Sequence, residues 1–299
     1  MIIIHHSKDL DGWSSGAICK RAFPDATLIG WDYNDPIPDF EQFRDQEVIM
    51  IDITFPIAKI EELSDIAHHV TIIDHHISFK KEYCNHFQID TGTDSITFTD
   101  IRERIKYIYE VTQAACEIGW KYLFPGTPIP EAITLLGRYD TWRQSEGLWD
   151  DETLPFQYGM RVKCDSPDSF DIDLFDINEN SELLVADIIE IGHNILDYQK
   201  QMDKIQTEKN SFETIIGEYR AIALNIYAFS SNTVMSLYDP KKHDIMVGFC
   251  FNGVSKKWLV SLRSIKEDVD CSIIAKFRGG GGHIHAAGFE CEDIDDIFN

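Results

Sequence analysis

Through its first half the chain repeats one pattern: a short β-branched apolar run, a polar or acidic break, and then a stretch with helical spacing. Parallel strands need a crossover of a dozen or more residues, so this alternation predicts strands joined by helices in a parallel α/β sheet. Candidate strands are Ile2 to Ile4, Thr27 to Trp31, Val48 to Ile51 and Val70 to Ile73. Trp13 to Phe23 and Pro56 to His68 have helical spacing, the latter with Glu61 and Glu62 on a solvated face. Ala114 to Phe124, ended by Pro125-Gly126, and Glu131 to Tyr139, entered through Pro130, are further helices. Asp140 then falls just beyond a helix end.

The pattern changes after that. Asp165 to Asn180 is acidic, carries Pro167 and lacks apolar periodicity. No Gly and distal Glu stand in EF-hand register there, so it reads as a solvated connector and not a calcium loop. Glu182 to Lys209 reads as one long helix, with an interrupted apolar stripe that includes Leu184, Ile188, Ile191 and Ile195. Strands dominate beyond Ser211, the better ones at Tyr219 to Ile226, Ile245 to Phe251 and Trp258 to Arg263, and the chain ends in a glycine-rich turn. The expected organisation is an N-terminal parallel-sheet domain over 1–181, a connecting helix over 182–210 and a smaller mixed-sheet α/β domain over 211–299.

With 51 acidic against 27 basic residues the net charge is -24, which repels a long duplex from most of the surface. A short oligonucleotide or mononucleotide is not excluded, because a bound divalent cation dominates the field in a cleft. The 7 cysteines form an odd set without a C-x-x-C pair, and reduced thiols are the simplest reading. The apolar run at the N-terminus is too short for a signal peptide, and no later run approaches a membrane span. The expectation is a cytoplasmic protein without a membrane partner.

Metal-competent side chains gather where the predicted strands end. His5, Asp9 and Asp11 have the spacing H-x-x-x-D-x-D directly after the first strand, at the edge where loops of a parallel sheet converge on ligands. Asp52 follows Ile49-Met50-Ile51, and Asp74-His75-His76 follows Thr71-Ile72-Ile73. Each piece alone has a plainer reading: a solvated loop, a helix cap, a packing histidine, or a turn aspartate at Asp140. Together, His5, Asp9, Asp11, Asp52, His75 and Asp140 are enough ligands for two divalent ions if one carboxylate bridges them. A set of carboxylates and imidazoles tilts the choice of metal towards Mn.

These residues resemble the DHH family of phosphoesterases. Asp74-His75-His76 looks like its signature triplet, His5-x-x-x-Asp9-x-Asp11 resembles its first motif, and Asp52 and Asp140 fall where its second and fourth motifs stand. Gly280-Gly281-Gly282-His283-Ile284-His285-Ala286-Ala287-Gly288 resembles the G-G-G-H-x-x-A-A-G motif of the DHH-associated C-terminal domain, and Ser261-Leu262-Arg263-Ser264 looks like the strand before it. The resemblance thus spans nearly the whole chain.

It implies that His5, Asp9 and Asp52 hold one Mn ion and Asp11, Asp52, His75 and Asp140 the other, with Asp52 as the bridge. Asp74 would orient its neighbours and His76 would approach the phosphate. Arg263, Ser264, Gly280, Gly281, Gly282 and His283 would bind substrate, the glycines by letting backbone come close to a phosphate or base. The implied activity is Mn-dependent hydrolysis of short nucleotide substrates: short oligonucleotides, linear dinucleotides or 3'-phosphoadenosine 5'-phosphate. An exopolyphosphatase or pyrophosphatase would use the metals identically, and a non-catalytic nucleotide-binding module would keep the fold alone. A homodimer is open. Trp142 follows Asp140-Thr141 where the oligoribonuclease branch tends to have Gly.

Overall fold

The apolar runs of the first half become neighbours in one sheet. The computed structural model describes residues 1–89, 92, 94–100, 103–226 and 237–298, in two compact units, Met1–Leu196 and Asp197–Asn299. In the first unit lie β1 (Ile2–His6), β2 (Thr27–Trp31), β3 (Glu47–Ile51), β4 (His69–Asp74), β5 (Ser95–Thr99) and β6 (Ile105–Glu110). Their order is β2-β1-β3-β4-β6-β5, parallel throughout except where β5 pairs with β6. The central strands are apolar on both faces because helices cover both. Ile3, Ile49, Ile51 and Ile73 pack on Cys19 of α1 (Leu10–Ala22) and on Ala115 and Ile118 of α4 (Ala115–Leu123). Ile4, Met50 and Ile72 pack on Ile60 and Leu63 of α2 (Ile57–Ile66) and on Phe79 and Tyr83 of α3 (Ile77–Phe87). Outside α1 and α4, α5 (Glu131–Asp140) and α6 (Leu154–Lys163) close a further apolar layer around Trp120, Leu136 and Phe156.

This order positions the site. The chain goes from β1 to β2 on one side, then returns past β1 to β3 on the other, so the crossovers diverge between β1 and β3. Divergent crossovers leave a crevice at the carboxyl ends of those two strands. The expected parallel α/β sheet is therefore present, enlarged by α3, the β5–β6 pair and α6, none of which stood out in the sequence.

The long helix α7 runs over Glu179–Asn210. Asn178 and Ser181 cap its start reciprocally, Ser181 N–H donating to Asn178 Oδ1 at 3.0 Å and Asn178 N–H to Ser181 Oγ at 3.3 Å. Its Val185 and Ile188 are buried in the first unit's core. The second unit is a mixed sheet of β7 (Ser211–Ile216), β8 (Tyr219–Asn225), β9 (Ile245–Asn252), β10 (Lys257–Arg263), β11 (Gly281–His283) and β12 (Ala286–Cys291), in the order β11-β12-β10-β9-β8-β7. Only β8 and β9 run parallel. One face carries Val247, Phe249, Val260 and Leu262 against Ile274 and Ala275 of α8 (Cys271–Phe277) and Ile297 of α9 (Asp295–Phe298). Among the described residues, no helix is long and apolar enough to cross a membrane.

Candidate metal centre

Four segments deliver side chains to the carboxyl edge of the first sheet. His6 ends β1, and Asp9 caps α1, accepting the Gly12 N–H at 2.9 Å. Asp11, in the first turn of α1, is buried, and its two oxygens accept the Ala115 and Cys116 N–H groups at 2.9 Å each. Those donors are the opening of α4, where free N–H groups and the helix dipole favour negative charge. Asp52 follows β3 with φ 63°, the left-handed region that a buried non-glycine residue rarely holds without a role. Asp74, His75 and His76 follow β4, and Asp140 is the last residue of α5.

The segments meet around two side chains, His75 and Asp52. Nε2 of His75 lies 3.4 Å from Asp52 Oδ1, 3.4 Å from Asp140 Oδ2 and 3.7 Å from Asp11 Oδ2. Nδ1 of His6 lies 2.7 Å from Asp9 Oδ2 and 3.6 Å from Asp52 Oδ2. Three groups of ligand atoms, each within 4.8 Å of one another, result: His6, Asp9 and Asp52; Asp52, His75 and His76; and Asp11, His75 and Asp140. Asp52 Oδ1 is buried without a hydrogen-bond partner, as an oxygen aimed at a cation would be. These acidic and histidine side chains could hold metal, and carboxylate with imidazole is a donor set that suits first-row divalent ions.

Burial works against the charge on His75, but the Asp52 carboxylate, with Asp11 and Asp140, raises its pKa to about 10. Burial opposes charge on His6 too, and Asp52 and Asp9 raise it to about 10. Burial would lift Asp52, yet the imidazoles of His6 and His75, 3.6 and 3.4 Å away, bring it down to about 2. Asp11 is pushed well up by burial and by the nearby Asp52 and Asp140 carboxylates. Asp140 is raised to about 6 by burial, against the pull of His75 and with the push of Asp52 and Asp9. These opposed shifts come from carboxylates and imidazoles crowded into one small volume, where each carboxylate favours charge on a neighbouring imidazole and disfavours it on the next carboxylate.

Of the metal ligands the resemblance implied, His5 is the exception. Adjacent residues of a strand face opposite ways, and His5 points into the α1 side of the sheet. It is buried at 4% exposure, with Nδ1 2.8 Å from the His6 carbonyl oxygen. A Cβ at Gly16 or Gly30 would stand 3.1 or 3.3 Å from its ring, so two glycines make its slot. Among the described residues His5 belongs to none of the three groups, and His6 stands where His5 was expected. A doubled histidine at the end of a strand was the available signal: the pleat sends only one of the two towards the crevice. Asp32, after β2, was also missed; its Oδ1 lies 3.5 Å from Nε2 of His6.

Asp74 accepts the backbone N–H groups of His75 and His76 at 2.8 and 3.1 Å, and its Oδ1 lies 2.7 Å from His76 Nδ1. It holds the triplet's backbone and orients His76. In the second unit, Arg263, Ala286 and His283 are in register across β10, β12 and β11, so their side chains share one face. The next row on that face is Ser261, Gly288 and Gly281, with no side chain larger than serine. Ser264 is not on offer to a ligand: buried, its Oγ donates to the Asp244 carbonyl at 2.9 Å and accepts the Lys266 N–H at 3.1 Å. Gly280 and Gly282 serve the hairpin itself. A Cβ at Gly280 would lie 2.1 Å from the Gly288 oxygen, and Gly282 has φ 140°.

No family model matches the chain. An uncharacterized protein of Acanthamoeba polyphaga mimivirus is 23% identical over 318 residues, which cover 98% of this chain and 68% of that protein. Among solved structures, the pGpG-specific phosphodiesterase PggH of Vibrio cholerae matches with a TM-score of 0.52 at 14% identity, over 99% of this chain and 94% of that one. The DHH domain of a protein assigned to a family of ribosomal proteins matches with a TM-score of 0.50 at 13% identity, over 97% and 82%. The chain has the fold of DHH-domain proteins, with the Asp74-His75-His76 triplet at the carboxyl edge of its parallel sheet.

Proposed function

We propose that the chain is a metal-dependent phosphoesterase that hydrolyses short nucleotide substrates. The observation that carries this reading is that Asp52 belongs to two ligand groups, one with His6 and Asp9 and one with His75 and His76, as a carboxylate between two ions would. His6, Asp9 and Asp52 would hold one ion, and Asp11, Asp52, His75 and Asp140 the other, with Mn the metal of choice for this donor set. Bound divalent ions supply charge neutralisation at the phosphoryl group and a water of lowered pKa. The remaining chemistry belongs to the chain. Asp74, 2.7 Å from His76 Nδ1, holds that ring so that its other nitrogen can donate to a phosphate oxygen as charge builds there. Asp11, fixed at the start of α4, keeps one ligand immobile while substrate comes and goes.

The net charge of -24 supports a short substrate over a long strand. The pGpG-specific enzyme, whose fold this chain has, points the same way. On the second unit taken by itself, Arg263 and His283 share a face with the adjoining row of small residues, where a planar guanidinium could fork onto a phosphate. The test is a hydrolysis panel of the full chain with Mn and with chelator: a linear dinucleotide, a short oligonucleotide, 3'-phosphoadenosine 5'-phosphate, pyrophosphate and polyphosphate. Turnover of nucleotides, lost in Asp52→Asn, is expected. Turnover of only the inorganic substrates would replace the nucleotide reading by a pyrophosphatase or polyphosphatase, and binding without turnover of any would leave a nucleotide-binding module.

A further inference from the structure

The turn after Asp140 carries an aromatic group that the ligand cluster does not use. Tyr139 and Trp149 stack with centroids 5.7 Å apart and planes at 8°. Trp142 meets Trp149 edge-on, with centroids 5.1 Å apart at 67°, and lies 6.1 Å from Tyr139. Trp142 is nonetheless 63% exposed, so most of its indole faces solvent. A surface-exposed tryptophan costs apolar hydration, and this one also holds φ 56°, a region that bulky residues avoid. The surroundings impose that geometry. Thr141 Oγ1 donates to the Gly137 carbonyl at 2.7 Å, Arg143 Nε donates to Thr141 Oγ1 at 2.7 Å, and Arg143 Nη2 donates to the buried Glu117 at 2.5 Å. Trp149 opens a π-helical turn over Trp149–Thr153, a rare conformation that recurs at functional sites. The Arg161 guanidinium lies 5.7 Å from the Tyr139 ring and adds positive charge beside the group. Trp142 is two residues from Asp140, so their Cα atoms are at most about 7 Å apart.

An exposed, braced indole two residues along the chain from a ligand of the cation-suited cluster fits a flat, π-faced ligand carrying a phosphate. We infer that Trp142, supported by Trp149 and Tyr139, is the stacking surface for a nucleobase of the substrate. The phosphate half of this inference rests on the phosphoesterase reading above; the base half rests on the aromatic group alone. Because every base has a π-face, the surface selects nucleotides over inorganic phosphates without choosing strongly among bases.

The test is calorimetric titration of the full chain, with Mn, by the hydrolysis-resistant phosphonate analogues of AMP and of ribose 5-phosphate, which differ only in the base. The AMP analogue is expected to bind ~10-fold more tightly, as one stacked base gives. That difference is expected to vanish in Trp142→Ala and in Trp142→Leu, which keeps bulk without a π-face, and to persist in Trp142→Phe. Equal affinities in the unsubstituted chain, no binding of the AMP analogue, or a difference that survives Trp142→Leu would each overturn the inference. Hydrolysis of a linear dinucleotide by the same preparation separates the two readings. A base-dependent difference without hydrolysis keeps the stacking surface and removes the enzyme, whereas hydrolysis without the difference does the reverse.

Discussion

Asp52 Oδ1 stands 3.4 Å from Nε2 of His75 because the strands that carry them, β3 and β4, pair in parallel with Ile51 opposite Ile73. Parallel pairing sets the residues after each strand side by side, whatever the length of chain between them. Asp52 also reaches His6 through its other oxygen, at 3.6 Å. Replacing it by Asn keeps the shape and removes the charge that two ions would share. Asp52→Asn is expected to lower Mn-supported hydrolysis by more than ~100-fold, beyond the effect usual for a residue that only orients a ligand. Metal analysis of the same variant should show fewer ions per chain, and an unchanged count with an unchanged rate would remove the bridging role.

The two neighbouring histidines should separate cleanly. His6→Ala is expected to lose bound metal and activity with folding intact. His5→Ala is expected instead to lower stability by about 1–3 kcal/mol, because it empties a slot between α1 and β2 while leaving the ligand groups in place. Thermal unfolding together with metal content decides, and loss of metal in His5→Ala alone would reverse the assignment.

The histidines with pKa raised to about 10 give a pH dependence. A raised pKa means that their ion pairs stabilise the chelated protein fully below the unfolded value of ~6.5, and that this stability is lost as pH rises towards about 10. Asp140, raised to about 6, acts in the same direction, since its folded form resists ionisation between ~3.9 and that value. Asp52, lowered to about 2, contributes stability above ~3.9 that is lost only in acid. Chelated protein should therefore be less stable at pH 9 than at pH 6. A metal must displace the imidazole protons, so Mn affinity should climb over the same interval. Melting curves with and without chelator at both pH values measure the pair, and a chelated protein more stable at pH 9 would contradict it.

Glu117 and Arg143 tie the turn bearing Asp140 to the start of α4. The contact is 2.5 Å long, Glu117 is 3% exposed, and Glu117 Oε2 also accepts the Ala114 N–H at 3.0 Å. Removing one partner strands a buried charge, so Arg143→Leu should cost about 3 kcal/mol. Denaturant unfolding measures it, and a loss under ~1 kcal/mol would mean that the pair is solvated in practice.

Neighbouring glycines of the β11–β12 hairpin should behave differently. At Gly282, φ is 140° and a Cβ would lie 2.5 Å from the Ala286 oxygen, so Gly282→Ala should destabilise the second unit by about 1–3 kcal/mol. At Gly281 a Cβ meets nothing within 4 Å, so Gly281→Ala should fold normally. If backbone there approaches a ligand, Gly281→Ala should still raise KM for a nucleotide substrate. Equal melting temperatures for the two variants would contradict the geometry.

Much of the first sheet was legible because its strands are apolar on both faces and stop abruptly at polar residues, as in Ile72-Ile73-Asp74 and Met50-Ile51-Asp52. The β5–β6 pair was not. β5 is an edge strand with Ser95, Thr97 and Thr99 exposed, and it owes its place to pairing with β6, not to its own pattern. The glycine motif pointed to a turn, and the structure adds that Gly280 and Gly282 are demanded by the hairpin's own packing.

By itself the sequence determined which residue types would gather at the strand ends, since hydrophobic periodicity is local and each motif sits beside its own strand. Only the tertiary structure decided which of them meet. The choice of His6 over His5 depends on the strand pleat and on two glycines from other elements. The anchoring of Asp11 depends on helix N–H groups at Ala115 and Cys116, and the exposure of Trp142 on a turn pinned by Glu117. Those are contacts between distant parts of the chain, which no local pattern encodes.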